Sequence, residues 1–444
     1  MRPYKVLLFI AACLCVLAIL CVALPHRLVI GSRTLHWPTL AEVFEVNKPA
    51  SVATTDTIAD FDETEELTVV VDTITPVDTT PTPKTICEPI PVVQVDTTSD
   101  SRIFLRAFYA SLQQTSERKV RIIHYGDSQI EEDRMSQQIR EKMQARYGGA
   151  GVGLMPLAQT IPSRTVKQEL IMDGRTVSPQ RAVKRNLVYG PKRDQRSDGL
   201  YGVMGQVAIM NDSLVKGSES ITTICTPLDA GPRYSCVKVF ADTGIHYTRS
   251  GDTIFLNGRG AVYGLSQESA TGVIVDNIPM RGCMGNVFTR ISASQLQRFY
   301  ADENVRLIIM QFGGNAIPSN EKATTIQAIV AGLREQVRYL HRCAPEASIL
   351  FIGPSDMLTT IDGELQTYPM VPYMDRLLRK MAKEEQIAYF SLFQWMGGSG
   401  SMKRWQEVGL AGSDGVHFMR SGARKAGNAV ADWILEGESI VFSD

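Results

Sequence analysis

From about Ser101 the chain alternates between two hydrophobic periods. Phe104, Leu105, Phe108 and Leu112 recur at helical spacing and share a face. A short apolar run follows at 120–125 (VRIIHY), and then Ile130, Ile139 and Met143 mark a helix expected over 129–147. The alternation continues to the C-terminus. TGVIVDNI, VRLIIMQFG, SILFIGPS and IAYFSLF read as strands. They are interleaved with the helical stretches VFTRISASQLQRFY, TIQAIVAGLREQVRYLHRC, YMDRLLRKMAKEE and GARKAGNAVADWIL. Five apolar strands alternating with helices predict a parallel sheet covered on both faces, with any reactive site outside the carboxyl ends of its strands.

Between the first helix and the second strand, the pattern changes. SITTICT, YSCVKVFA, DTIFLNG and AVYGLS are short β-like runs broken by Gly, Asp, Asn and Pro. They predict an inserted antiparallel sandwich over 151–270, which splits the α/β domain into 99–150 and 271–444. GGAGVG at the start of this insert follows a helix and not a strand, the wrong context for a dinucleotide loop.

The N-terminus has a third pattern. Val6–Leu24 carries no charge and is long enough to cross a bilayer. With no clear small-x-small cleavage site after it, segment 1–28 reads as an uncleaved signal anchor. Segment 29–98 then combines a juxtamembrane piece, with one small amphipathic helix expected over 31–46, and a Thr/Pro/Asp-rich stretch. That stretch is too poor in apolar residues to offset chain entropy and reads as a tether.

Composition adds limits. The 444 residues are 44% hydrophobic, enough for a large core, and the net charge of −1 argues against a nucleic-acid partner. No CxxC appears among the eight cysteines, so no zinc site is expected. Cys225 and Cys236 are left open as a disulfide between neighbouring strands or as two buried thiols.

Three strand ends carry candidate chemistry. Gly126-Asp127-Ser128 follows the first strand. Either Asp127 or Ser128 caps the coming helix, or Ser128 is a nucleophile beside the free N–H groups of a helix start. Asn315 follows two glycines after the third strand, where its amide is placed either to stabilise an oxyanion or simply to make a turn. A serine nucleophile needs a base. Of the six histidines, His26 and His36 lie near the membrane, His124 is inside a strand, His246 is in the insert and His341 ends a helix. His417 remains, with Asp414 three residues before it, close enough to hold the ring's tautomer.

The order GDS, Gly, GGN and D-x-x-H resembles the SGNH (GDSL-type) hydrolase superfamily over 101–153 and 271–444. HYGDSQIEEDRM, with GGAGVG and DNIPMRGCMGNVF, resembles a bacterial envelope branch with a GDSQIEGDR-like block. The resemblance implies a three-layer α/β/α sandwich of flavodoxin-like type with a five-stranded parallel sheet. It implies Ser128 as nucleophile, His417 as general base and Asp414 as its orienting acid. The implied oxyanion donors are the N–H groups of Ser128 and Gly285 and the side chain of Asn315, with Gly282 as the competing glycine. Gln129 replaces the Leu of the broad family. Glu132 stands where the branch often has Gly, which is expected to narrow the entrance.

The expected protein is a single-pass esterase of the cell (inner) membrane with its body on the periplasmic or extracytoplasmic side. It would remove or transfer O-acetyl or short acyl groups on an envelope polysaccharide, without cofactor or metal. Its partners would be the acylated glycan or another ester and the acyl-transfer machinery of the envelope. A lipase or thioesterase with the same triad, and a non-catalytic glycan-binding or assembly protein on this scaffold, are the alternatives. The insert is either a glycan holder or a spacer.

Overall fold

A computed structural model of the chain describes residues 27–30, 33–36, 100–211, 215, 217–228 and 234–442. The chain divides into two compact units, 1–84 and 85–444. In the first, Arg27–Ile30 pairs antiparallel with Arg33–His36, so a strand stands where the small helix over 31–46 was expected to begin. The expected membrane helix at Val6–Leu24 and most of the tether lie outside the described residues. Among the described residues no helix is long and apolar enough to cross a membrane.

The second unit is built on five parallel strands: β1 (Lys119–Gly126), β2 (Gly272–Pro279), β3 (Val305–Gln311), β4 (Ser348–Ile352) and β5 (Ala388–Phe390). Their spatial order is β2-β1-β3-β4-β5, the flavodoxin-like winding, whose switch point falls between β1 and β3. The β-branched runs predicted this, because a strand covered on both faces must be apolar at every position. Ile122, Leu307 and Leu350 pack on one face with the helices α1 (Arg106–Leu112), α2 (Ser136–Tyr147) and α6 (Arg420–Val441). Ile123, Ile308 and Phe351 point the other way, toward α3 (Ala293–Asp302), α4 (Ala323–Cys343) and α5 (Met370–Glu384). Each fully buried aliphatic of this kind contributes about 1.5–3 kcal/mol.

Several boundaries differ from the sequence expectation. The helix expected from residue 129 is interrupted: a 3-10 turn spans Ser128–Asp133, and the α-helix begins only at Ser136. Glu132 and Asp133 have φ of 61° and 65°. Their carboxylates, with that of Glu131, are taken by arginines from elsewhere in the chain, which holds the backbone out of the helix. The helix expected over 287–300 is likewise a 3-10 turn at Phe288–Arg290 followed by α3. A hairpin (Leu358–Ile361 with Glu364–Thr367) and the short helices Leu392–Met396 and Ser401–Glu407 had no clear sequence signal.

The insert forms two five-stranded antiparallel sheets. One orders Cys236–Ala241, Gly260–Glu268, Gln206–Met210 and Lys184–Leu187, with Gly153–Met155 also on Gly260–Glu268. The other orders Ile245–Ser250, Thr253–Gly258, Ser220–Pro227, Val166–Met172 and Arg175–Val177. Leu170, Ile221 and Leu256 of the second meet Ala208, Val262 and Leu265 of the first in one core. Cys225 and Cys236 sit in different sheets as free thiols, Cys225 buried and Cys236 partly exposed, so the disulfide reading is corrected. GGAGVG serves backbone contact. A Cβ on Gly151 would lie 2.2 Å from the Gln267 carbonyl oxygen, and one on Gly149 2.3 Å from that of Val273.

Where the insert meets the sheet edge, Arg121 of β1 is fully buried. It donates to both oxygens of Asp276 in β2 at 2.7 and 2.9 Å and pairs with Glu268 and Glu303. Lys119 and Lys238 complete this network, and Asp276 also accepts the Leu154 N–H of the insert at 2.8 Å.

Candidate active site

Strand β1 delivers Ser128 to the carboxyl edge of the sheet beside the switch point. Asp127 Oδ1 accepts the Gln129 N–H at 3.0 Å, so Asp127 is the cap of the turn on which Ser128 stands. The capping role therefore falls on Asp127, and Ser128 follows it as the first residue of the turn. The turn is a 3-10 segment, so the expectation that Ser128 opens the long helix is corrected.

His417 reaches Ser128 from a loop just before α6. Ser128 Oγ and His417 Nε2 are 2.7 Å apart, and His417 Nδ1 and Asp414 Oδ2 are 2.6 Å apart. The other carboxylate oxygen of Asp414 accepts the N–H groups of Val416 and His417, each at 3.0 Å. These contacts, led by the side-chain bond with His417, hold the Asp414 carboxyl well below the usual carboxylate range. The imidazole side chain is 37% exposed, so it stands at the mouth of the site where a substrate can meet it.

Four further contacts fix this geometry. The Gln129 side chain donates to the Val416 carbonyl at 2.6 Å and accepts from the Phe418 N–H at 3.5 Å, clamping the His417 loop to the Ser128 turn. Leu358 N–H bonds the Gly415 carbonyl at 2.9 Å, and Gly412 N–H the His417 carbonyl at 2.8 Å. In the sequence Gln129 stands out only as a departure from the broad family's Leu. Its role depends on residues almost 300 positions away, which no local pattern signals.

Asn315 lies on a 3-10 turn after β3. Its amide donates to Asp127 Oδ2 at 3.0 Å and to the Cys283 carbonyl at 3.2 Å. It thus ties the serine turn to the loop that carries Gly285. Gly285 has φ +91°, and a Cβ there would lie 2.8 Å from Phe312 Cγ and from Leu333 Cδ2. Gly282 has nothing within 4 Å of that position. Crowding therefore excludes a side chain at Gly285, while Gly282 favours glycine only through its φ of +71°; the Gly285 N–H donates to Cys283 Sγ at 3.3 Å. Burial raises Asp127 to about 6, against the opposing pull of the Gln129 N–H, His417 and Asn315.

A small cavity of about 60 Å³ adjoins these groups, lined in part by Ser128, Asn315, Pro318, Pro354, Met357 and Val416. Glu132 lies on the turn that carries Ser128. It is bonded to Arg164 of the insert and to Arg134 at 2.7 and 3.2 Å. His124 is structural: it bonds Gln311 and Ser136 at 3.1 and 2.8 Å, and burial lowers it to about 4.

No family model and no curated protein matches the chain. Among solved structures, it is similar to a peptidoglycan O-acetylesterase, with a TM-score of 0.60 and 21% identity over 79% of this chain and 98% of that one. A carbohydrate acetylesterase from Sinorhizobium meliloti aligns with 37% of this chain and 79% of its own, at 17% identity and a TM-score of 0.28. An acetyl xylan esterase aligns with 37% of this chain and 80% of its own, at 14% identity and 0.26. The first of these likenesses shows a shared fold.

Proposed function

We propose that the chain is a serine esterase of SGNH type, acting on small acyl esters of an envelope glycan. The observation that carries this reading is the unbroken contact path from Ser128 Oγ through the His417 ring to Asp414. In the first step, Ser128 Oγ attacks the ester carbonyl and His417 Nε2 takes its proton. Asp414 stabilises the imidazolium and keeps Nε2 facing the serine. The tetrahedral oxyanion is bound by the N–H groups of Ser128 and Gly285 and by Asn315. Asn315 then turns one N–H from the Cys283 carbonyl to the developing charge, and Gly285 gives up its weak bond to sulfur. Protonated His417 delivers its proton to the leaving alkoxide as the C–O bond breaks. Water, or a second sugar hydroxyl in a transfer reaction, then releases the acyl group from Ser128 by the same steps reversed.

The small cavity beside Ser128, about 60 Å³, supports a short acyl group such as acetyl over a long chain. The glycan assignment rests on the shared fold with a peptidoglycan O-acetylesterase together with the envelope-type sequence block. Val6–Leu24 would anchor the protein in the membrane, with the catalytic unit on the extracytoplasmic side at the end of its tether.

The test is hydrolysis of p-nitrophenyl acetate by the full chain and by Ser128→Ala. A loss of several orders of magnitude in kcat is expected. Equal slow rates for the two proteins would instead favour a binding protein on this scaffold.

A further inference from the structure

A second, larger cavity of about 380 Å³ joins the serine turn to the insert. Its volume falls in the range of small-molecule sites, about 300–1,000 Å³. Glu131 and Arg281 line it from the core, and Arg185, Tyr189 and Gln206 from the insert. Glu131 is three residues beyond Ser128; burial raises its carboxyl, and Arg281, Arg134 and His417 oppose that rise. Arg281 begins the loop that leads to Gly285.

The charges on this wall are unevenly matched. Glu131 pairs with Arg281 at 3.0 Å, Glu132 with Arg164 and Arg134, and Asp133 with Arg140. Every acidic group there has its guanidinium. Among the described residues Arg185 has no such counter-charge. Among the described residues its hydrogen-bonding partner is the neutral Gln206 Oε1 at 2.9 Å. A guanidinium has five N–H donors, so most of this fork is left for another acceptor. The strand that carries it, Lys184–Leu187, is held in register by Gln206–Met210, with Arg185 opposite Ala208. Burial of an uncompensated cation is unfavourable, and here it draws the Arg185 pKa down. An anion entering the cavity would remove that penalty.

We propose that this cavity holds a carboxylate of the substrate glycan against Arg185, so that the preferred esters lie on acidic saccharides. The inference rests on the esterase reading and narrows its substrate class. A carboxylate fits the guanidinium fork through two parallel hydrogen bonds. A phosphate would bring a second negative charge among Glu131, Glu132 and Asp133, which disfavours it. Tyr189, in the same wall, offers a ring against which a sugar face can lie.

Calorimetric titration of the full chain tests this with two ligand pairs that differ by a carboxylate: N-acetylmuramate against N-acetylglucosamine, and glucuronate against glucose. In at least one pair the acidic member should bind about tenfold more tightly, the usual worth of a hydrogen-bonded charge pair. Arg185→Gln should remove that preference, and Arg185→Lys should keep part of it. No preference in either pair, or a preference that survives in a folded Arg185→Gln variant, overturns the assignment. So does tighter binding of glucose 6-phosphate than of glucuronate. The unaltered protein alone decides the matter where the glutamine variant fails to fold. Serine-dependent hydrolysis of p-nitrophenyl acetate by the same preparation tests the esterase reading separately.

Discussion

Replacing Arg121 by Met should destabilise the catalytic unit by about 3–5 kcal/mol at pH 7, the cost of breaking a buried ion pair from one side. The size is set by what each carboxylate keeps. Glu268 retains Lys119 at 2.7 Å and Ser266 at 2.6 Å, and Glu303 retains Lys238 at 2.8 Å. Asp276 is fully buried and, among the described residues, keeps only the Leu154 N–H at 2.8 Å. Methionine fills most of the arginine's volume, so the loss is chiefly the orphaned charge of Asp276. Burial already raises the Asp276 pKa, and Arg121 opposes that rise. Without Arg121 the folded-state pKa climbs further above its unfolded value. A carboxyl shifted upward penalises the folded state at pH above its folded pKa, and the penalty fades as the pH falls toward the unfolded value. The deficit, read from urea unfolding of both proteins, should therefore be larger at pH 7 than at pH 5. A deficit below about 1 kcal/mol at pH 7, where an exposed pair would fall, would refute the reasoning. An equal deficit at the two pH values would do the same.

The same geometry sets other outcomes. Asp414→Asn should lower kcat/KM for p-nitrophenyl acetate by roughly 10³–10⁴-fold, because the tautomer of His417 is no longer held. Gln129→Leu should release the His417 loop and lower kcat about 10–100-fold with little change in KM, a split that steady-state kinetics reads directly. Gly285→Ala should lower both the melting temperature and kcat, since φ +91° and the side chains of Phe312 and Leu333 leave no room for a methyl group. Acid unfolding has a defined window at Glu268. Burial would raise this carboxyl, but Arg121 and Lys119 bring it down to about 2, so its contribution is complete above about pH 4.5 and is lost as the pH falls toward 2. Equilibrium unfolding at several pH values should show that loss reduced in Glu268→Gln.

Much of the core was legible because its physics is local. A β1 buried on both faces has to be a run like VRIIHY, and the family resemblance carried by GDS, GGN and D-x-x-H implied that Ser128, Asn315 and His417 share one site. The errors lie where distant partners decide. Ile130, Ile139 and Met143 keep helical spacing through 129–147, yet Arg281 and Arg164 from distant segments pair with Glu131 and Glu132 where the helix is interrupted. The strands holding Cys225 and Cys236 were visible, but their assignment to opposite sheets was not, because the pairing of Cys236–Ala241 with Gly260–Glu268 depends on a long-range register. The Gln129 clamp and the link from Asn315 to Cys283 are made only once the β1, β2 and β3 ends lie side by side.

The central claim is that Ser128 is a nucleophile activated by His417. Mass spectrometry of the full chain after exposure to a fluorophosphonate tests it most directly. The expected result is a single adduct on the peptide containing Ser128, much slowed in His417→Ala and absent in Ser128→Ala. Labelling elsewhere, or labelling of Ser128 at the same rate without the imidazole, would contradict it.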